Sequence, residues 1–206
     1  MTHYNNDNTR MHQTNYTLIG VQTGQARKAN IAGRSVLTAI HKTPVTDTVP
    51  LGPLGLLGDV QADLSVHGGL EKAVYAYPTE HYPFWEEARG AAGVSGLDAP
   101  LGWGAMGENL SLYGLLETDV WLGDLLRFPN CTLRITQPRE PCFKFNAAMG
   151  FNQAVKRMAQ SGYCGFYLAV DEPGTVRAGE TFLVVPGPRR ASVPDCFQSM
   201  MFKHLR

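Results

Sequence analysis

A chain of 206 residues that is 44% hydrophobic and 17% charged has the composition of one folded domain with its own core, which excludes a fibrous, wholly disordered or large two-domain protein. Its 18 Lys and Arg offset 18 Asp and Glu, so the broad positive field of a nucleic-acid or acidic-membrane binder is missing and any basic site must be local. With 22 Gly and 13 Pro the sequence is rich in turns, which excludes a bundle of long helices and favours many short strands.

Residues 1–15, MTHYNNDNTRMHQTN, are polar throughout and read as a flexible extension without the apolar centre of a secretory signal. No run of about 18 apolar residues follows, and the expectation is a cytoplasmic protein that spans no membrane. From Tyr16, TLIGV and SVLTAI read as strands separated by a loop, and the Pro/Gly-rich stretch TPVTDTVPLGPLGLLGD reads as irregular. KAVYAY has the continuous apolar character of a buried strand. TEHYPFWEEARG predicts a short helix with Thr79 as cap, Pro83 near the first turn and Gly90 as stop. Cys131, Leu133 and Ile135 alternate with Thr132, Arg134 and Thr136, the period-2 pattern of a half-buried strand, and that strand runs directly into QPREPC. A second short helix is expected from Asn152 as cap to Ser161, with Gly162 as terminator. Alternation at Phe166, Leu168 and Val170, the turn DEPG and the return ETFLVV predict a hairpin over 165–185. The fold class is mainly β with a few short helices, and a closed or nearly closed barrel over 16–190 is expected because closure removes exposed sheet edges. Residues 191–206, with Val193, Phe197, Met200 and Met201, begin an amphipathic helical tail.

Four cysteines, at 131, 142, 164 and 196, show neither the density of a disulfide scaffold nor the pairing of a structural zinc site, so they are read as free thiols. Cys142 stands out because Arg139 and Lys144 flank it and Pro138 and Pro141 rigidify its approach. Nearby cations favour thiolate over thiol, and the thiolate is both a nucleophile and a soft metal ligand. Cys131 and Cys164 have settings of small buried hydrophobes. HGGLEK places His67 and Lys72 around the Gly68-Gly69 pair, whose backbone N–H groups suit either an anion or simply a tight turn. Asp59 and Gln61 lie just upstream, and GENL brings Glu108 and Asn109, which either orient a ligand or satisfy backbone groups at a barrel rim. Dinucleotide and Walker-type phosphate loops, HExxH, GxSxG and clustered iron–sulfur cysteines are absent from the sequence.

Taken together, GLLGDVQADLSVHGGLEKAVYAYPTEHYPFW, GENLSLYGLLETDVWLGDLLRF, LRITQPREPCFKF and SGYCGFYLAVDEPGTVRAGETF closely resemble the MOSC domain, named for the C-terminal domain of molybdenum-cofactor sulfurases, in its small bacterial stand-alone branch. The resemblance covers about residues 16–190 and implies a MOSC-type β-barrel that binds the molybdenum cofactor, a molybdopterin with a terminal phosphate. Cys142 matches the family cysteine. In reductase relatives that residue is the thiolate ligand to molybdenum, and the expected substrates are N-hydroxylated compounds: hydroxylaminopurines, hydroxylamines and amidoximes. The biological role would then be detoxification of N-hydroxylated bases. In the sulfurase branch the same cysteine carries sulfur as a persulfide, so a sulfur-carrier or cofactor-handling role is the alternative. The resemblance places Asp59, His67, Gly68, Gly69, Lys72, Glu108, Asn109, Arg139 and Lys144 around the cofactor, with Lys72, Arg139 and Lys144 as partners for phosphate and pterin oxygens. It also implies a separate electron donor carrying flavin or an iron–sulfur centre. Pyridoxal phosphate, which sulfurases bind through another domain, is not expected. The tail at 191–206 corresponds to a shortened form of the three-helix segment that often follows the barrel in this branch.

Overall fold

The computed structural model describes residues 15–31, 33–62, 68–96 and 99–203. The extension read at 1–15 therefore lies, but for residue 15, outside the described residues, as does His67. Seven strands form the barrel: β1 (Tyr16–Thr23), β2 (Val74–Pro78), β3 (Leu110–Tyr113), β4 (Leu125–Arg127), β5 (Thr132–Pro138), β6 (Phe166–Glu172) and β7 (Thr181–Val185). They pair in the order β7-β4-β5-β6-β2-β3-β1, and β1 closes the ring on β7 through Tyr16 opposite Phe182. Only β2 and β3 run parallel, with Ala76 opposite Leu110. A parallel step needs a crossover, and the chain between these strands carries helix α1 (Tyr82–Ala91).

The period-2 pattern fills the barrel. Leu18, Leu126, Leu133, Ile135, Phe166, Leu168 and Phe182 are fully or almost fully buried. All five residues of β2 are buried, as its unbroken apolar run predicts, because its outer face is covered too: Trp85 of α1 is fully buried and its indole N–H donates to the Tyr77 hydroxyl at 2.6 Å. Three more helices follow: α2 (Phe143–Met149), α3 (Ala154–Ser161) and the tail helix α4 (Val193–Lys203).

Several local expectations are corrected. The hairpin over 165–185 does not form: β6 pairs with β5 and β2, whereas β7 pairs with β4 and β1. DEPG does not reverse the chain onto β6 because Gly174 is drawn against a neighbouring loop, where a Cβ would lie 1.8 Å from the Asn130 carbonyl oxygen. Gly174–Val176 instead pairs with Val49–Gly52, which pairs in turn with Gly55–Leu56. The region read as irregular thus holds these two short strands, and Thr43–Val45 flanks β1. Arg27–Ile31 and Arg34–Thr38 form a separate two-stranded sheet.

Among the helices, α1 is preceded by a 3₁₀ turn over Thr79–His81, which moves the cap from Thr79 to His81, and it continues through Gly90. The cap of α3 is Gln153, not Asn152, and the side-chain acceptor near its start comes from α2, where Asn146 accepts the Val155 N–H at 2.8 Å. α3 stops at Gly162 as the sequence predicts.

Candidate functional site

The site lies where β5 ends. Pro138 closes that strand and Phe143 opens α2, so the link Arg139-Glu140-Pro141-Cys142 is held by regular structure at both ends. Cys142 is the extended residue that precedes α2, and its carbonyl accepts the Phe145 N–H at 2.8 Å. Its side chain is neither fully buried nor fully exposed. Cys131 and Cys164 are buried. Burial pushes the Cys164 thiol up, and burial with the charges of Glu180 and Glu172 pushes that of Cys131 up to about 12. Both stay protonated at neutral pH, as small apolar core residues should.

Arg139 is 6% exposed. Its guanidinium lies 5.1 Å from the Tyr75 ring centre and 4.8 Å from that of Phe145, and its Nη1 is 3.5 Å from the Met158 sulfur. Aromatic faces offset part of the desolvation of a cation. No carboxylate among the described residues lies within ion-pair distance of it. A buried cation without a counter-charge is costly, so this arrangement suits an anion brought from outside. Tyr75 is fixed for the contact: its hydroxyl donates to the Cys164 carbonyl at 2.9 Å, and its N–H donates to Asn109 Oδ1 at 3.1 Å. Burial raises the Tyr75 and Tyr167 phenols, against the opposing charge of Arg139, so both rings stay neutral.

Arg139 and Cys142 open into a cavity of about 110 Å³. Of the residues the sequence selected, Asp59, Gly68, Lys72, Asn109 and Lys144 also line it. Gly69 does not; its N–H donates to Gln61 Oε1 at 2.9 Å, which pins the Gly-Gly turn beside the cavity. Gly68 and Gly69 have φ of 145° and 85°, conformations that suit glycine and strain other residues. Glu108 is also away from the cavity. Its carboxylate is fully buried and accepts from the Tyr82 hydroxyl at 2.5 Å, Gly104 N–H at 2.7 Å, Ser111 hydroxyl at 2.8 Å and Met106 N–H at 3.1 Å. The reading of Glu108 as a cofactor contact is corrected to a barrel-rim support whose acceptor capacity is used internally.

Sequence reasoning missed Lys42 and Tyr167 as parts of this wall, and Gln61, read just upstream of the Gly-Gly pair, lines it as well. Lys42 Nζ lies 2.5 Å from Asp59 Oδ1, with both side chains less than 10% exposed, and the same oxygen accepts the Gly24 N–H at 2.7 Å. Asp59 is therefore held by the chain itself. No local motif marks Lys42; only the fold brings it to Asp59. Tyr167 was visible as an alternating β6 residue but not as a site residue. Cys142 also borders a second cavity of about 90 Å³, lined by Gln137, Pro138, Glu140, Pro141, Lys72 and Tyr167. No group of three or more His, Cys, Asp or Glu side chains among the described residues is arranged to hold a metal ion alone, and no helix among them is long and apolar enough to cross a membrane.

A closed barrel with a half-buried cysteine at one strand end and cations around it defines a class that the comparisons name. Residues 63–182 match the family model of the MOSC domain, and the chain belongs to that family. It is 40% identical over 169 residues to the uncharacterised protein YflK of Bacillus subtilis, which covers 82% of this chain and 73% of that one. A Gibberella moniliformis protein named "Reductase" is 32% identical over 172 residues, covering 83% of this chain but 29% of that protein. The crystal structure of YiiM from Geobacillus stearothermophilus superposes with a TM-score of 0.72 at 30% identity, over 93% of this chain and 86% of that one.

Proposed function

We propose that the protein binds the molybdenum cofactor in its molybdopterin form, with Cys142 as the thiolate ligand to molybdenum, and reduces N-hydroxylated compounds. The carrying observation is Arg139, a buried guanidinium with no carboxylate partner among the described residues, beside a thiol that opens to a cavity. The donor set fits the cofactor: one soft sulfur for the metal, and Lys42, Lys72, Arg139 and Lys144 around an anion, with Asp59 the lone carboxylate among the described residues of the same wall. When bound, the cofactor supplies the two-electron chemistry by which an N–OH group, two electrons and two protons become N–H and water.

The chain's own residues bind and orient. Arg139 offers its planar fork to phosphate or pterin oxygens, and the lysines act as point charges. Gly68 allows close backbone approach, and Asn109 fixes Tyr75 beneath Arg139. Electrons come from a separate flavin or iron–sulfur protein. The fungal relative named as a reductase supports the reductive direction. The test compares wild type with Cys142→Ser, both expressed with molybdate in a host that makes the cofactor: reduction of an amidoxime with a surrogate electron donor is lost in the variant while the circular dichroism spectrum is unchanged, and retained activity would overturn the reading.

A second reading uses the same thiol as a sulfur carrier, and the access to Cys142 from two cavities favours it. A stable extra sulfur on Cys142 by mass spectrometry, with no turnover by metal-loaded protein, would put this reading first.

A further inference from the structure

Residues 163–165 form an irregular strap between the end of α3 and the start of β6. Backbone groups outside a strand need other partners when they are buried, and here side chains supply them. The Tyr163 carbonyl accepts the Tyr77 hydroxyl at 3.1 Å, the Cys164 carbonyl accepts the Tyr75 hydroxyl at 2.9 Å, and the Gly165 N–H donates to Glu117 Oε1 at 2.7 Å. The Gly165 carbonyl in turn accepts the Arg139 N–H at 3.3 Å. The strap therefore meets the anion site twice: at the Arg139 backbone, and at the hydroxyl of the Tyr75 ring against which the Arg139 guanidinium lies.

Gly165 is wedged against β2. Its φ is 64°, and a Cβ would lie 2.4 Å from the Ala76 carbonyl oxygen and 2.8 Å from the Tyr75 ring, so the close approach requires glycine. Glu117, which anchors it, lies in the 3₁₀ turn Glu117–Asp119 between β3 and β4 and is 4% exposed. The other carboxylate oxygen, Oε2, lies 2.7 Å from Nε2 of buried His81. The His81 ring stacks on Tyr163 with 3.7 Å between centres and 8° between planes, so it grips the strap as well. No Lys or Arg among the described residues lies within ion-pair distance of Glu117. Neither Glu117 nor His81 lines a cavity beside Cys142.

We propose that Glu117 is a positioning residue of the anion site: it anchors Gly165 and, through the strap, holds the Arg139 backbone and the Tyr75 ring in the geometry that receives an anion. The inference rests on the reading of Arg139 as the cofactor's anion contact. The role belongs to the acceptor oxygen and not to the negative charge. Gln at this position keeps a carbonyl oxygen for the Gly165 N–H and turns its amide N–H toward a neutral His81 ring. Leu occupies similar space but has no acceptor and strands a buried N–H.

The test uses the full chain from a host that makes no molybdenum cofactor, with inorganic phosphate as the probe and its dissociation constant read from phosphorus NMR line widths. Arg139→Met sets the background binding that does not involve the site. Glu117→Leu raises the dissociation constant about fivefold, the value of one net hydrogen bond, and Glu117→Gln brings it back to within about twofold of wild type. Tyr75→Phe keeps the ring and removes the hydroxyl that holds Cys164; it gives a smaller loss in the same direction and replaces Glu117→Leu as the test should that variant not fold. Glu108→Ala controls for a fold that is merely weakened, and its phosphate affinity stays at the wild-type value. Equal affinity in the wild type and the strap variants overturns the inference. So does a Glu117→Gln variant as weak as Glu117→Leu, a Glu108→Ala variant that loses as much affinity, or a wild type that binds phosphate no better than Arg139→Met.

The two readings fail separately. A wild type that reduces an amidoxime, with strap variants that bind phosphate as it does, ends the positioning role alone. The expected order of phosphate affinities in a chain that never retains molybdenum or pterin leaves an anion site positioned by Glu117 and ends the reductase reading. In a host that makes the cofactor, Glu117→Leu holds less pterin than Glu117→Gln, and equal contents count against the proposal.

Discussion

Glu108 and Arg139 are both buried charges near the same end of the barrel, and the chain treats them in opposite ways. Glu108 receives four hydrogen bonds from residues 82 to 111, and burial together with the adjacent carboxylate keeps the Tyr82 phenol protonated as one of the donors. Arg139 receives aromatic faces and a thioether but, among the described residues, no carboxylate. A buried charge completed from within supports the fold. One left for an outside partner marks a binding site.

The comparison breaks first at Glu108. Glu108→Ala strands two backbone N–H groups and two hydroxyls, and a loss of about 3 to 5 kcal/mol in urea unfolding is expected. A loss below about 1 kcal/mol would remove Glu108 from its structural role.

Arg139→Met sharpens the same contrast with the opposite sign. In cofactor-free protein its unfolding free energy stays within about 1 kcal/mol of wild type or rises, because an unpaired buried charge has been replaced by packing. Its capacity to hold phosphate falls. Destabilisation as large as that of Glu108→Ala would show Arg139 to be structural as well.

The cysteines give a finer contrast. In native protein iodoacetamide labels Cys142 while Cys131 and Cys164 react only after unfolding. Cys131 rises from an ordinary thiol value of 9.0 to about 12 in the fold. Between those values the unfolded chain ionises and the folded one does not, so the unfolded state binds fewer protons and stability falls as pH rises through that window. Cys131→Ala flattens that slope in thermal unfolding followed from pH 9 upward; an unchanged slope would contradict the assignment. The smallest effect belongs to Glu71, whose carboxylate pairs with Arg134 at an exposed site. Glu71→Gln changes stability by no more than about 1 kcal/mol and leaves phosphate binding intact.

The barrel was legible where residues repeat with period 2 for long enough. Leu133 and Ile135 in β5 and Phe166 and Leu168 in β6 declared their faces, and the unbroken run of β2 declared burial on both sides. Strands of two to four residues, such as Val49–Gly52 and Gly55–Leu56, are too short for a period; Val49–Gly52 is held between distant Gly174–Val176 on one side and Gly55–Leu56 on the other. The 165–185 hairpin failed for the same reason: DEPG has turn chemistry, but a long-range contact at Gly174 decides where the chain goes. α2 is seven residues long and is capped by a cysteine whose side chain makes no cap hydrogen bond, so the sequence offers no cap signal. In the site, the charged flank of Cys142 was readable locally. Lys42 was not, because its partner Asp59 is 17 positions away. Glu108 looked like a ligand contact because a carboxylate after glycine looks the same whether its donors are internal or external; only burial and partners separate the two.

The most direct measurement is molybdenum and pterin content in protein expressed with molybdate in a host that makes the cofactor, for wild type, Cys142→Ser and Arg139→Met. The account predicts near-stoichiometric metal and pterin in the wild type, loss of metal in Cys142→Ser, and loss of both in a still-folded Arg139→Met. Wild-type protein that holds neither, or an Arg139→Met variant that retains both in full, would contradict it.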